Sequence, residues 1–267
     1  MRMSPEKPGP VPIHILTGAK DWRLAVWMLA SFFHYTESAW PLVIHDDGTL
    51  SAEGRTTLLR MFPGARIIER ANADREMEKA LTPYPFCLEY RRKHPLGLKI
   101  FDAPYFASGS RLHIFDSDLL FFQRPQEILA WCESDAPECW FNEDVQEGAL
   151  VSAVEARREL KLELWPRVNS GLCLIHRPVI DLDFCDRALA QTSILGGHVW
   201  RVEQTLFALC ASRANRGGLL PRTYEVSLGQ RAAAGAITRH YVGAVRDRFC
   251  GEGLDRLHGP LLGAEAQ

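Results

Sequence analysis

A chain of 267 residues is near the size at which one hydrophobic core stops growing, so one large domain, or one with an appended lobe, is expected. The 46% hydrophobic and 24% charged residues are those of an ordinary globular protein, and a formal net charge of -2 argues against nucleic acid as a partner while leaving room for a small basic pocket for a phosphorylated ligand. The seven cysteines are odd in number, form no CxxC pair and no zinc spacing, and read as reduced, core-filling thiols of a cytoplasmic protein.

The first dozen residues, MRMSPEKPGPVP, are Pro-rich and lack an apolar h-region, so they predict a loose arm and no secretory signal. Residues 13–16 form a short apolar run that stops at Thr17-Gly18, a strand followed by a turn. Asp21 can cap a helix whose Leu24, Trp27, Met28 and Phe32 recur at helical spacing. Residues 42–44 make a second strand that ends at Asp46-Asp47-Gly48, and Leu58, Leu59 and Met61 mark a helix over 53–61. Pro63-Gly64 breaks the chain before a third strand at 65–68, and polar helical sequence covers 72–79. Pro83, Pro85 and Pro95 keep helices within 84–95 short, and 96–106 looks helical before a fourth strand at 112–115. This alternation predicts an α/β fold with a doubly wound, mostly parallel sheet, whose ligands bind beyond the carboxyl ends of the strands. Thr17, Asp46 and Asp116 fall at such ends.

The second half is less regular. Pro125 suits the first turn of a helix containing Ile128, Leu129 and Trp131, and 139–141 reads as a strand. Residues 142–165 are charged and variable in pattern, with a helix over 155–164, and could form a lid or an acceptor-side loop. A strand at 172–175 is preceded by Asn169-Ser170-Gly171, and helices near 180–189 and 202–212 flank a turn at Leu195-Gly196-Gly197-His198. Residues 224–228 and 237–241 look like strands. No repeat, low-complexity tract or linker interrupts the chain, so a single domain over 1–267 is the simplest organisation. No apolar stretch is long enough to span a bilayer, and peripheral attachment to a membrane is compatible with that.

The stretch RLHIFDSDLLFFQRP, residues 111–125, organises the rest. Asp116 and Asp118 interrupt an otherwise apolar run. Ionised carboxylates in such a setting are costly unless paired or metal-bound, so something positive should meet them where a buried strand opens on a cleft. A divalent cation, hard and able to bridge phosphate oxygens, is the economical candidate. The competing reading is a carboxylate pair that caps backbone amides, the role expected of the equally spaced Asp181 and Asp183 in their helical segment.

RLHIFDSDLLFF resembles the DxD segment of nucleotide-sugar glycosyltransferases of the GT-A fold, where the motif follows the fourth strand of the nucleotide-binding half. The resemblance implies that Asp118 ligates Mn²⁺ or Mg²⁺ and that Asp116 contacts the metal or the ribose of a UDP-linked donor, with Ser117 beside them. It divides the chain into a nucleotide-binding half, 1–125, and a sugar and acceptor half, 126–267. His240, Gly243 and Arg246, in RHYVGAVRDRF, resemble the HxxGxxK element of retaining enzymes of the glycogenin and bacterial galactosyltransferase type. There the His completes the metal site and the Gly and Lys approach the diphosphate. Arg246 replaces that Lys and keeps the charge while offering a bidentate fork.

By the same resemblance Asn169 faces the donor sugar, with a simple turn as the competing reading. Glu203-Gln204 matches an Asp-Gln pair whose Gln lies beside the anomeric carbon. A neutral amide is a poor nucleophile, so Gln204 would orient or stabilise. Lys99 lies where the family carries a basic residue at the donor, and Thr17 where it holds the nucleobase and ribose. Trp22 could stack there or belong to the core, and Asp46 and Asp47 could touch the nucleotide or only form their turn.

The activity implied is transfer of a sugar from a nucleotide-diphospho-sugar to an unknown glycan, lipid or protein acceptor, with retention. An inverting enzyme, using Glu203 or Asp144 as base, and a nucleotide-sugar binder without turnover are the alternatives. There is no Walker loop, GxSxG elbow or HExxH. A haloacid-dehalogenase-type phosphatase also places Asp-x-Asp after a strand, but there the motif opens the chain and is followed by Thr or Val, not by Leu119-Leu120.

Overall fold

A computed structural model describes residues 11–262. The arm expected over the first dozen residues therefore lies outside the described residues, except for Val11 and Pro12.

The strands, in chain order, are β1 (Ile13–Thr17), β2 (Leu42–Asp46), β3 (Arg66–Ile68), β4 (Arg111–Phe115), β5 (Leu119–Phe121), β6 (Cys139–Glu143), β7 (Val168–His176), β8 (Gly217–Leu219), β9 (Tyr224–Val226) and β10 (Thr238–His240). A seven-stranded sheet has the order β3-β2-β1-β4-β7-β6-β8, and a three-stranded sheet the order β5-β10-β9. The pairs β1–β2, β1–β4 and β2–β3 are parallel, as the strand–helix alternation predicts. Strand β7 is inserted antiparallel between β4 and β6. Its reversed direction brings its first residues, Val168 to Gly171, to the same edge as the carboxyl ends of β1, β2 and β4. Strand β6, antiparallel to β7, ends at that edge too.

Alternation along β4 splits the core. Leu112 and Ile114 face one side with Ile175, Leu206 and Phe207, while Phe115 faces the other with Ile13, Ile15, Phe32 and Trp40. Both faces are covered by helices, so the strands are largely apolar on both sides, with His14, His45 and His113 buried among them. The helix Trp22–Thr36 covers one side and Val199–Ala214 the other.

Three expectations are corrected. Asn169-Ser170-Gly171 is not a turn before a strand but the opening of the nine-residue β7, held by its pairing with β6 across a register shift at Phe141/Asn142. The 155–164 helix is instead two short turns, Ala153–Glu155 and Ala156–Leu160, stopped by Lys161 at φ 57. Asp21 does sit at the N-cap of the first helix, but its side chain makes no capping bond there. Asp181, by contrast, caps as expected, accepting from Phe184 N at 3.1 Å.

Candidate active site

The DSD turn joins the two sheets. Asp116 follows β4, and its amide donates to Gly171 O (2.8 Å), while Asp118 O accepts from Tyr241 N (2.9 Å). Because β5 pairs antiparallel with β10, Leu119 lies opposite His240. Local pairing thus places the imidazole over the two aspartates, 122 residues from Asp118 in sequence. His240 Nε2 lies 3.1 Å from Asp118 Oδ1 and 3.6 Å from Asp116 Oδ2. One ligand atom from each of Asp116, Asp118 and His240 falls within a 4.8 Å group.

Asn169 sets the orientation of the imidazole. Its Nδ2 donates to Asp144 Oδ2 (3.0 Å) and its Oδ1 accepts from Gly171 N (3.0 Å), which fixes which end of the amide is oxygen. His240 Nδ1 lies 2.9 Å from that oxygen and so must carry hydrogen, which turns Nε2 toward the carboxylates. A ring held through one nitrogen to present the other is the arrangement of a metal-ligating histidine. Two carboxylates and one imidazole nitrogen form a donor set that suits Mn²⁺ and also accepts Mg²⁺. Burial works against charge on His240, yet the neighbouring Asp118 outweighs it and raises the pKa. Burial acts against ionised Asp118 as well, and His240 and Arg246 overcome it to lower its pKa.

Gly171 makes room for the ring: a Cβ there would lie 2.2 Å from His240 Cε1 and Nδ1. Gly171→Ala is expected to displace the imidazole and to weaken Mn²⁺ binding by more than about tenfold, the lower range for losing a partner that orients a ligand. Electron paramagnetic resonance of free against bound Mn²⁺ measures this, and unaltered binding would show that the ring is not a ligand.

Behind the aspartates lies a buried charge cluster. Lys99 is 3% exposed and Glu203 is 1% exposed. Lys99 Nζ reaches Asp116 Oδ1 at 2.7 Å and Glu203 Oε1 at 3.1 Å, and Ser170 Oγ donates to Glu203 Oε2 at 2.9 Å. Lys99 rides on one π-helical turn, Leu98–Asp102, which is anchored by the bidentate pair of Arg91 with Asp102 (2.7 Å for both bonds). Burial disfavours the Lys99 ammonium, but Asp116 and then Glu203 keep its pKa above the usual value. Burial, opposed by Lys99 and reinforced by Asp116, raises Glu203 to about 7. Lys99 is thus committed to two carboxylates and stiffens Asp116 from behind.

Beside Asn169, Gln204 Oε1 accepts from Ser170 N (3.4 Å) and its Nε2 lies 3.5 Å from Asp144 Oδ2. Asp144 therefore connects Asn169 with Gln204. The segment after it packs on the same helix, with Leu150 N donating to Thr205 Oγ1 (2.9 Å). On the other side of Asp118, Arg246 Nε lies 3.4 Å from Asp118 Oδ2 and its Nη2 donates to Asp21 Oδ1 (2.7 Å). Gly243 opens the short helical segment Gly243–Phe249 that carries Arg246.

Ser117 Oγ reaches only Leu16 O, at 3.4 Å, and the buried Thr17 Oγ1 has no partner among the described residues. Asp46 accepts from Gly48 N (2.8 Å) and Leu50 N (3.1 Å), and Asp47 from Thr49 N (2.8 Å), so both form their turn. Trp22 is a core residue.

Sequence reasoning missed Ser170, which braces Glu203, and Asn142. Asn142 is fully buried at the end of β6 with both amide atoms unpaired among the described residues. The small residue beside Asn169 was the only signal for the first, and nothing local marked the second.

No protein-family model matches the sequence, and no curated protein matches it. The fold does have solved counterparts. The chain is similar to mouse xyloside xylosyltransferase 1, at TM-score 0.61 and 12% identity over 88% of this chain and 99% of that one. It is similar to the galactosyltransferase LgtC in complex with donor and acceptor sugar analogs, at TM-score 0.62 and 13% identity over 96% of this chain and 97% of that one. It also resembles the bifunctional glycosyltransferase WbbM, at TM-score 0.58 and 11% identity over 97% of this chain, spanning only 50% of the other. Identity this low speaks for architecture alone. The mixed, mostly parallel sheet, with its DSD turn at the carboxyl edge, is the GT-A fold.

Proposed function

We propose that the protein is a metal-dependent glycosyltransferase that moves a sugar from a UDP-linked donor to a glycan, lipid or protein acceptor with retention at the anomeric carbon. The observation that carries this reading is the convergence of Asp116, Asp118 and His240 on one 4.8 Å group of ligand atoms in a GT-A fold. Asp116, Asp118 and His240 would hold Mn²⁺ or Mg²⁺, which would supply positive charge against the negative charge of a departing nucleoside diphosphate. Arg246 adds a guanidinium beside Asp118, matched to phosphate. Thr17, at the end of β1, is left with a free hydroxyl for the nucleoside, with Ser117 next to it. Asn169, Gln204 and Asp144 form a hydrogen-bonded set that faces the sugar.

Retention is favoured by the state of Glu203. Held by Lys99 and Ser170 and 1% exposed, it is not available to deprotonate an acceptor. An inverting enzyme would have to use Asp144. Among the described residues no helix is long and apolar enough to cross a membrane, and six of the seven cysteines are buried free thiols, which suits a reducing, cytoplasmic setting.

Calorimetry with UDP, with and without Mn²⁺, tests the binding, and hydrolysis of a panel of nucleotide sugars separates an enzyme from a binder. Binding of UDP that ignores Mn²⁺, or no binding, would overturn the proposal. The anomeric configuration of the product by NMR decides between retention and inversion. Cleavage of p-nitrophenyl phosphate through an aspartyl-phosphate on Asp116 would point instead to a phosphatase.

A further inference from the structure

We infer that Asp21 is a positioning residue for Arg246, holding its guanidinium at the diphosphate side of the site and tying the Gly243–Phe249 segment to the start of the first helix. The inference rests on the proposed function for the ligand that Arg246 meets.

An aspartate at an N-cap ordinarily accepts from an amide of the first helical turn. Asp21 does not. Its backbone, at φ -118 and ψ -12, is not the extended conformation of a capping residue, and its side chain makes no capping bond. The carboxylate is directed at Arg246 instead, 225 residues away, with Oδ1 2.7 Å from Nη2. The helix thus forgoes a stabilising contact at a position where the residue type would supply one, and the same group appears in a contact across the site.

Arg246 needs such a partner. It is a long side chain, 39% exposed, on a short segment whose backbone is irregular at the preceding Val245 (φ -128, ψ 15). Its other carboxylate, Asp118, belongs to the metal set, where it is shared with His240 and would be shared with an ion. Asp21 lies outside that set and is the steady half of the grip. A guanidinium has five N–H donors, and Asp21 and Asp118 engage one each. The remaining fork can meet phosphate oxygens with its rotamer already restricted, which is how preorganisation raises affinity.

The test is a double-mutant cycle on UDP affinity at saturating Mn²⁺, using wild type, Asp21→Asn, Arg246→Ala and the double variant. Asparagine caps helices as well as aspartate does, so Asp21→Asn removes the charge and preserves any capping capacity. We expect Asp21→Asn to weaken UDP about fivefold, the scale of a coupled neighbouring pair, and to raise the donor KM more than it lowers kcat. In the Arg246→Ala background it should do nothing further. Affinity for Mn²⁺ alone and the melting temperature should stay close to wild type. Additive losses in the cycle, or a fall in melting temperature with UDP affinity untouched, would reduce Asp21 to a structural role and overturn the inference alone. Failure of the wild type to bind UDP with Mn²⁺ would overturn the proposed function and this inference with it.

Discussion

Replacing Asp118 by alanine is expected to abolish Mn²⁺-dependent UDP binding and sugar transfer while leaving the fold intact. Asp118 is the point where the site's cations meet, with Oδ1 3.1 Å from His240 and Oδ2 3.4 Å from Arg246. Truncation removes a ligand and both of these contacts. His240 then loses the main influence that favours its charged form, and burial drives the ring toward neutrality. Asp116, 3.6 Å from Nε2 and engaged by Lys99, is left as the only carboxylate of the set. Partners that merely orient a ligand cost 10–100-fold in metal affinity when removed, so loss of a ligand should exceed about 100-fold. The backbone bond from Tyr241 N to Asp118 O survives, so β5 and β10 remain paired. Calorimetry and a thermal melt together give the answer: unchanged affinity in a folded variant would end the metal-centred reading.

Acid is expected to destabilise the protein steeply between about pH 6 and pH 4, by about 3 kcal/mol per pH unit. Three histidines are buried within the seven-stranded sheet. His14 Nδ1 and His45 Nε2 bond to each other at 2.9 Å, and His113 Nε2 lies 3.3 Å from Cys132 Sγ. Burial is the main cause that lowers all three, His45 and His113 to about 3 and His14 well below its ordinary value. The unfolded chain therefore takes up protons near pH 6.5 that the folded chain refuses. Their contribution is fully present above that pH and lost as pH falls toward 3. Each costs about 1.4 kcal/mol per pH unit, roughly 4 for the three.

Glu203 opposes them. Its folded pKa of about 7 lies above the unfolded value, so the folded state gains stability, about 1.4 kcal/mol per pH unit, as pH falls from 7 to 4.5. The raised pKa of His240 acts in the same sense, but only above its unfolded value of 6.5. The net loss of about 5 kcal/mol over two pH units is a large part of the 5–15 kcal/mol that holds a domain together. Urea titrations at stepped pH measure the slope. His113→Leu, similar in volume, should flatten the net slope by about half, since it removes about 1.4 of about 3 kcal/mol per pH unit; a flat profile in the wild type would mean that these rings are not held neutral.

Much of the architecture of the first half was legible because its signals are local. Strands β1, β2 and β4 are apolar runs that stop at Thr17, Asp46 and Asp116, and the parallel pairing follows from the helices between them. The two aspartates stood out because they interrupt a run that burial would otherwise claim. His240 carried no such signal: its meaning depends on β5 and β10 pairing in a second sheet, which periodicity does not reveal. Its place came from resemblance alone. Asn169-Ser170-Gly171 is turn chemistry in isolation, and only tertiary pairing with β6 makes it a strand. Strand β8 was hidden in the same way. Gly217 reads as a break, yet it is needed at φ +104, where a Cβ would lie 1.9 Å from Cys139 O. Lys99 was expected at the diphosphate, and the carboxylates that hold it come from segments 17 and 104 positions further on, beyond what local pattern can relate.

The joining of two sheets at the DSD turn also sets a schedule for synthesis. Asp116 and Asp118 emerge from the ribosome long before β10, the last strand among the described residues, supplies His240 and, soon after, Arg246. A nascent chain can lay down the parallel strands β1 to β4 and still hold no complete donor set. The three-residue donor set is thus complete only once β10 has been made and has closed the second sheet, and a shorter product lacks His240 and Arg246 altogether.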